Sequence, residues 1–448
     1  MTDELPYSIC ISDILTLREE ILEPDSNFMR QISLSNVESN ENTLESNPKM
    51  FFDSTFMTDA LESSLKQLRN TVDERKDSNR QVFYGPYGTG KSHSLVTLYH
   101  CFKSTEIAST WANETIIGFE KVVPDDALPI AVPLQEEQPE FLWHPFFDRL
   151  NFEYGNSDGF YPLIKSIQDA IGGRSVALFI DGIGDWLETL EHPAKQKNLY
   201  FLQELFGASH KETTDLSIFV TFDRRNSTFQ DILEKESGLM EISTSHIEKN
   251  ILYHRLIKSI DKSPIMLELV QEYLEAYMNS GFFDISDSLR KEMYEAYPLH
   301  PSLMNTLGIV YSEMSGVGTI QGMLRLLSKV LRDNMEKVDI VTHSEIDFVE
   351  YNDELTCISD NYSNMDWYHD IINSLSSERN SRYVRSILNT VLLYSLIPDH
   401  SKGANLEEII FGTYQRGDDI EDILGELDRL NNESPHLQQC DSKYYIRE

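Results

Sequence analysis

The sequence predicts an α/β fold built on a parallel sheet, followed by an all-α stretch and a C-terminal domain of winged-helix type. Three observations carry this. A glycine-rich loop, "GPYGTGKS" at 85–92, lies between a short apolar strand and an apolar helix. Strand-like runs alternate with helical ones as far as about residue 247, the pattern of a parallel sheet covered on both faces. From about 248 the strand signal stops, and helices follow one another until a short alternating pair closes the chain.

Taken in order, residues 1–50 are expected to form an N-terminal segment, partly flexible, because "SLSNVESNENTLESNPK" (34–50) is polar and short of large apolar side chains. Phe51, Phe52, Phe56, Leu61, Leu65 and Leu68 then recur at near-helical spacing, with Asp53, Ser54 and Thr58 as caps, so a helix is expected over about 57–73. "QVFY" (81–84) is a strand and "HSLVTLYHCF" (93–102) the helix after it. Further strands are expected at "LPIAVPL" (128–134), "VALFI" (176–180) and "LSIFVTF" (216–222), with helices at 159–171 and 195–207. These make a core over 51–247. The runs from "IEKNILYHRLIKSI" to "IQGMLRLLSKVLRDNMEKV" read as successive helices, an all-α lid over 248–335. Within 336–448, "RYVRSILNTVLLYSLIP", "NLEEIIFGTY" and "DIEDILGELDRLN" are helices, and "HLQQCDSKYYI" alternates like a hairpin around "CDSK". That is the outline of a winged helix.

Composition narrows the class. Among 448 residues, 38 Lys and Arg face 74 Asp and Glu, a net charge of −36, which repels nucleic-acid phosphates wherever bases do not cluster. A solvated acidic surface accounts for this balance; a high-salt host would too, but modest Ala with plentiful Asn, Ser and Ile speaks against it. No run of 18 apolar residues appears, and the N-terminus is acidic where an export signal would be basic, so a cytoplasmic protein without membrane spans is expected. Cys10, Cys101, Cys357 and Cys440 are far apart and read as reduced thiols rather than a zinc site.

The loop fits GxxxxGK[ST] in full through Gly85, Gly90, Lys91 and Ser92, with Thr89 inside it. Glycines let the backbone N–H groups wrap a β-phosphate, Lys91 offers a point charge to the β/γ oxygens, and Ser92 can ligate Mg²⁺. The fold class is therefore an α/β P-loop NTPase with an ASCE-like sheet, and the expected ligands are ATP and Mg²⁺. Asp181 ends the strand "VALFI", where a carboxylate can complete the metal's shell with Ser92. The next position, where such enzymes keep a glutamate to polarise water, is Gly182. Asp185 faces the same site if a helical turn begins at Gly182, and Glu188 is a weaker candidate; a solvated helix face competes for both. At the end of the next strand Thr221, Asp223 and Asn226 are candidates to sense the γ-phosphate or place the water. Arg224 and Arg225 are candidate fingers onto a neighbouring subunit, against plain surface arginines.

Four segments, in order, extend this reading: "FFDSTFMTDAL" (51–61), "FYGPYGTGKSHSLVTLYH" (83–100), "YPLHPSLMNTL" (297–307) and "QGMLRLLSKVLRD" (321–333). With them the chain resembles the AAA+ ATPases of BREX-type phage-defence systems, the BrxC/PglY-like proteins and their relatives of undefined function. The resemblance spans most of 50–448. It implies nucleotide binding by Gly85, Gly88, Gly90, Lys91 and Ser92, with Asp181 on the metal. It also implies a second sensor at Arg325, a helix-surface arginine being the competing reading, and a recurring Arg-Leu position at Arg255. Expected partners are further copies of the chain and other defence proteins such as a DNA methyltransferase. One departure stands out: the family's strand continues Asp-Glu, whereas this chain has Asp181-Gly182. Loss of a water-orienting carboxylate commonly costs 10²–10⁴-fold, so slow turnover is expected.

Three functions fit. The first is an AAA+ ATPase or ATP-dependent switch in a defence complex. The second is a nucleotide-binding scaffold with little or no hydrolysis, which Gly182 favours. The third is a replication-initiator-like DNA-binding protein. Charge counts against the third: residues 331–448 hold 10 Lys and Arg against 24 Asp and Glu, a net of −14. Gripping a duplex needs a basic face, so weak direct DNA binding is expected.

Overall fold

The computed structural model describes residues 9–22, 32–41, 43–74, 80–85, 88–116, 123, 126–155, 160–210, 214–223, 239–241, 249–283, 285–312, 319–355, 362–374, 382–397 and 403–446. The chain divides into two compact units, residues 30–244 and residues 1–29 with 245–448. Nine strands occur among the described residues: β1 (Leu15–Leu17), β2 (Arg80–Gly85), β3 (Leu128–Pro133), β4 (Val176–Asp181), β5 (Leu216–Asp223), β6 (Leu239–Glu241), β7 (Ile257–Ile260), β8 (Leu437–Cys440) and β9 (Lys443–Ile446).

In the 30–244 unit five of them form one sheet in the order β3-β4-β5-β2-β6, every neighbouring pair parallel. One strand, β5, separates the phosphate-loop strand β2 from β4, the strand that ends in Asp181. This is the α/β P-loop NTPase arrangement of the ASCE type. Because side chains alternate along a strand, each strand feeds two cores. Phe83, Ala131, Ala177, Phe179 and Phe219 pack on one face with Leu95, Tyr99 and Phe102 of the helix Lys91–Lys103. Val82, Val132, Leu178, Ile180 and Val220 pack on the other with Trp143, Phe146, Leu202 and Phe206. The rings of Phe179 and Phe219 stack at 4.8 Å across β4 and β5.

Several expected boundaries move for identifiable reasons. The helix read over 159–171 begins only at Ile164, after Pro162, whose ring disfavours helical geometry in the residue before it. The strand β6 is three residues long and carries no periodic signal of its own. Residues 34–50, read as a loop, contain a 3-10 turn at Leu34–Asn36 and a helix at Pro48–Asp53 capped by Asn47. Buried Leu34 and Val37 hold that stretch to the core, and Glu45 accepts from the Ser33 amide at 3.1 Å. The single N-terminal segment expected over 1–50 is thus shared between the units, since Ile11–Leu17 packs in the other one.

That second unit contains the strand the helical reading missed. "LIKSI" leaves the helix Lys249–Leu256 as β7 and pairs antiparallel with β1, placing Leu15 opposite Ile260. A partner distant in sequence, invisible to local periodicity, makes this run extended. The remaining helices share one apolar core that crosses the expected boundary near 335: Tyr277 packs edge-on against Phe411 at 4.9 Å, and Phe283 stacks on Phe411 at 4.8 Å. The helices Arg382–Ser395, Leu406–Thr413 and Ile420–Glu433 precede the hairpin β8–β9. Its turn residues Asp441 and Ser442 have φ 50° and 68°, the two left-handed positions of a two-residue hairpin turn. Tyr444 also exchanges backbone hydrogen bonds with Ala404 at 2.7 and 2.8 Å.

This core holds enclosed polar groups. Glu345 caps its own turn, accepting from the Thr342 amide at 2.7 Å and the Ser344 hydroxyl at 2.8 Å, yet burial lifts its carboxyl to about 7. The sign follows from linkage. With the folded value above the unfolded one of 4.5, the group's stabilising contribution is complete below about pH 4.5 and is lost as pH rises through about 7. Glu345→Gln is expected to gain on the wild type by about 1–3 kcal/mol between pH 5 and pH 8, read from urea unfolding midpoints at the two pH values. A difference that does not change with pH contradicts this.

Candidate functional site

The parallel sheet points the C-terminal ends of its strands to one edge, where ligands of open α/β sheets bind. The phosphate loop leaves β2 there. Gly88 and Gly90 take φ of 77° and 92°, left-handed geometry that a side chain resists, so the loop needs glycine to turn into the helix Lys91–Lys103. Gly90 caps that helix without a side-chain acceptor, and the first-turn N–H groups point into the loop, as an anion site requires. Lys91 Nζ donates to the Gly85 carbonyl at 3.0 Å, which folds the ammonium back over the loop. Thr89 is buried; Pro86 and Tyr87 lie outside the described residues.

The loop and the neighbouring strands meet at Asp181. Ser92 Oγ donates to Asp181 Oδ1 at 3.1 Å, and the Thr221 hydroxyl donates to the same oxygen. Thr221 Oγ1 in turn accepts from the Gly182 amide at 3.0 Å. Burial raises the Asp181 carboxyl above the usual carboxylate range, and the hydroxyls of Thr221 and Ser92 and the Lys91 charge pull it back. A hydroxyl and a carboxylate side by side, both hard oxygen donors beside a phosphate loop, suit Mg²⁺. Among the described residues no cluster of three or more His, Cys, Asp or Glu side chains offers another metal site.

Gly182 is more than a missing acid. Its φ is 74°, and a Cβ there would lie 2.8 Å from Gln135 Cγ and 3.1 Å from Gln135 Cδ. The helix Ile183–Thr189 starts from it, and that turn carries Asp185, whose Oδ2 accepts from Gln135 Nε2 at 2.9 Å. Asp185 therefore faces the end of β3. Glu188, on the same helix, pairs instead with Lys195 at 2.9 Å. Asp223 ends β5 opposite Gly85, while Arg224, Arg225 and Asn226 lie outside the described residues. Arg325 belongs to the other unit, on the exposed side of the helix Thr319–Asn334, and Arg255 is buried there near the end of Lys249–Leu256. Sequence reasoning missed Gln135 and its neighbours Glu136 and Glu137. The available signal was position: polar and acidic side chains directly after a buried strand, at the ligand-binding edge.

The segment 51–61 also finds its place. Phe51 stacks on His93 at 4.7 Å, and the Thr55 hydroxyl lies 2.9 Å from His93 Nε2. Thr55 spends its one proton on the Phe51 carbonyl at 2.7 Å, so His93 is the donor in the shared bond. The histidine after the Ser92 position is thus a brace between this segment and the phosphate-loop helix.

Residues 15–128 match the family described as DUF499 N-terminal domain, about a quarter of the chain; the match includes the phosphate loop and stops before Asp181. No curated protein matches the chain. Solved structures align over most of its length at low identity. AMPPCP-bound DnaA from Aquifex aeolicus is 13% identical over 86% of this chain and 92% of that one, with a TM-score of 0.28. The Orc1 protein of Aeropyrum pernix in complex with DNA is 12% identical over 88% and 90%, with a TM-score of 0.34. The FIGL-1 AAA domain in complex with ADP is 10% identical over 84% and 99%, with a TM-score of 0.27. Likeness at this level assigns no role to any residue.

The geometry at Gly182 has a measurable cost attached. Gly182→Ala is expected to lose about 1–2 kcal/mol from the left-handed backbone alone, and more from crowding against Gln135. Adding Gln135→Ala should recover only the crowding part in chemical denaturation. Equal midpoints for wild type and Gly182→Ala would contradict the reading.

Proposed function

We propose that this chain is an AAA+ ATP-binding protein that works as an ATPase or ATP-dependent switch. The observation that carries the proposal is the 3.1 Å bond between Ser92 and Asp181, which joins two groups 89 residues apart beside a complete phosphate loop. The loop from Gly85 to Ser92, with Gly88, Thr89 and Gly90, would hold the triphosphate through backbone N–H groups, and Lys91 would turn from the Gly85 carbonyl to the β/γ oxygens. Ser92 and Asp181 would hold Mg²⁺, which would neutralise charge on the triphosphate. Thr221 sets the rotamer of Asp181 and the Gly182 amide. Asp185 and Arg325 complete the proposed set, the first beside the site and the second as the sensor that the resemblance implies.

The cellular setting belongs to the same proposal: a cytoplasmic, homo-oligomeric component of a BREX-type phage-defence complex, acting with partners such as a DNA methyltransferase. The helices and hairpin of 382–446 are read as a winged helix that contacts protein. Its Ile420–Glu433 helix begins with Glu421 and Asp422 in the first turn, which speaks against a grip on phosphates. No helix among the described residues is long and apolar enough to cross a membrane. The second reading, a scaffold that holds nucleotide and scarcely hydrolyses it, is favoured by Gly182.

Calorimetry of the full chain with ATP and Mg²⁺ tests the core of this. Saturable binding is expected, weakened roughly 100-fold or more by Lys91→Ala, a loss of about 2.7 kcal/mol. No heat with any purine triphosphate would end the proposal. On a mobility-shift gel at physiological salt, the full chain is expected to leave duplex DNA unshifted at micromolar protein; a tight, salt-sensitive shift would revive the initiator-like reading.

A further inference from the structure

We propose that Glu136, in the turn that follows the strand beside Asp181, supplies the carboxylate that orients the lytic water in place of the acid absent at 182. This rests on reading the site as an ATPase. Strand β3 runs parallel to β4 with Pro133 opposite Asp181, so the turn Leu134–Glu137 emerges at the ligand-binding edge directly after the level of the metal-binding candidate. The turn packs on β4 and on the helix Ile183–Thr189.

Its three polar side chains divide the work. Gln135 fills the space above Gly182 and donates to Asp185 at 2.9 Å. Glu137 pairs with Arg149, whose Nη1 donates to Glu137 Oε2 at 3.3 Å. Glu136 stands between them in the turn, three residues beyond Pro133, the partner of Asp181 in the sheet. The Ser33 hydroxyl donates to Glu136 Oε1, which gives the side chain a defined position while leaving it exposed. The close approach of Gln135 to Gly182 and the position of Glu136 come from one turn. The same turn that closes position 182 to a side chain brings a carboxylate from the neighbouring strand.

In the step assigned to it, the water oxygen bonds to the γ-phosphorus while the bond from that phosphorus to the β–γ bridging oxygen breaks. The electron pair of the broken bond leaves on ADP. Glu136 takes one proton from the water and returns it to the phosphate product or to solvent, so ATP and water give ADP and inorganic phosphate.

The test uses the full chain and four proteins: wild type, Glu136→Gln, Glu136→Asp and Glu137→Gln. Glu136→Gln is expected to lower steady-state turnover roughly 100-fold or more while ATP affinity by calorimetry stays within about threefold, the signature of a group used only in the transition state. After gel filtration from ATP and Mg²⁺ it should carry unhydrolysed ATP where the wild type carries ADP. Glu136→Asp should recover part of the turnover, and Glu137→Gln, on the same turn but paired with Arg149, should stay within about tenfold of the wild type. Wild-type turnover in Glu136→Gln, or the same loss in Glu137→Gln, overturns the assignment. A wild type that binds ATP without hydrolysing it also overturns it and leaves the scaffold reading standing. A wild type that binds no ATP brings down the functional reading itself.

Discussion

A carboxylate taken out of water at the end of a strand must be met by donors or pay heavily for its charge. Asp181 is met by two hydroxyls, from Ser92 on the phosphate-loop helix and Thr221 on the strand between. Those two bonds tie the loop helix, β4 and β5 together at one point of the sheet edge. The register of the parallel strands makes the meeting possible, since Ile180 opposite Val220 brings Asp181 beside Thr221 within β5. The rest of the site is arranged around this junction. Lys91 bends toward Gly85, and the Gly182 amide turns to Thr221.

The same junction explains why the residue after Asp181 is glycine. The chain must leave β4 sharply, with a left-handed step, to start the helix that carries Trp186 into the core and donates its indole N–H to the Pro139 carbonyl at 2.9 Å. Gln135 occupies the volume that a side chain at 182 would need. A graft of glutamate at this position would not reproduce an Asp-Glu pair, because both the backbone and the neighbouring strand have adapted to its absence. The loss of one acid is therefore built into the surrounding packing, and β3 with its following turn is part of the site.

In the second unit the apolar residues of the resemblance's other segments build the core. His300 in "YPLHPSLMNTL" is buried and pushed down to about 3 by that burial, so it is neutral; its Nδ1 accepts the Ser302 amide at 3.2 Å at the start of the helix Pro301–Ser312. His343 is neutral for the same reason and donates or accepts with Thr306 at 3.1 Å. In "QGMLRLLSKVLRD", Met323, Leu326, Leu327, Val330 and Leu331 are buried and Arg325 is exposed, the amphipathic face that its spacing announces.

Local rules were enough for much of this protein. Glycine and lysine spacing marked the phosphate loop, apolar runs marked β2 to β5 within a residue or two, and "CDSK" marked the hairpin, because each depends on neighbours in the chain. What depends on distant neighbours was not legible there. The strand Ile257–Ile260 exists only because Leu15–Leu17 pairs with it, and β6 only because β2 offers an open edge. The approach of Gln135 to Gly182, the tether of Asp185 and the place of Glu136 at the sheet edge follow from the register of β3 against β4. A sequence can declare which side chains bear chemistry; only the packed sheet decides which of them share an edge, since that is set by contacts between strands tens of residues apart.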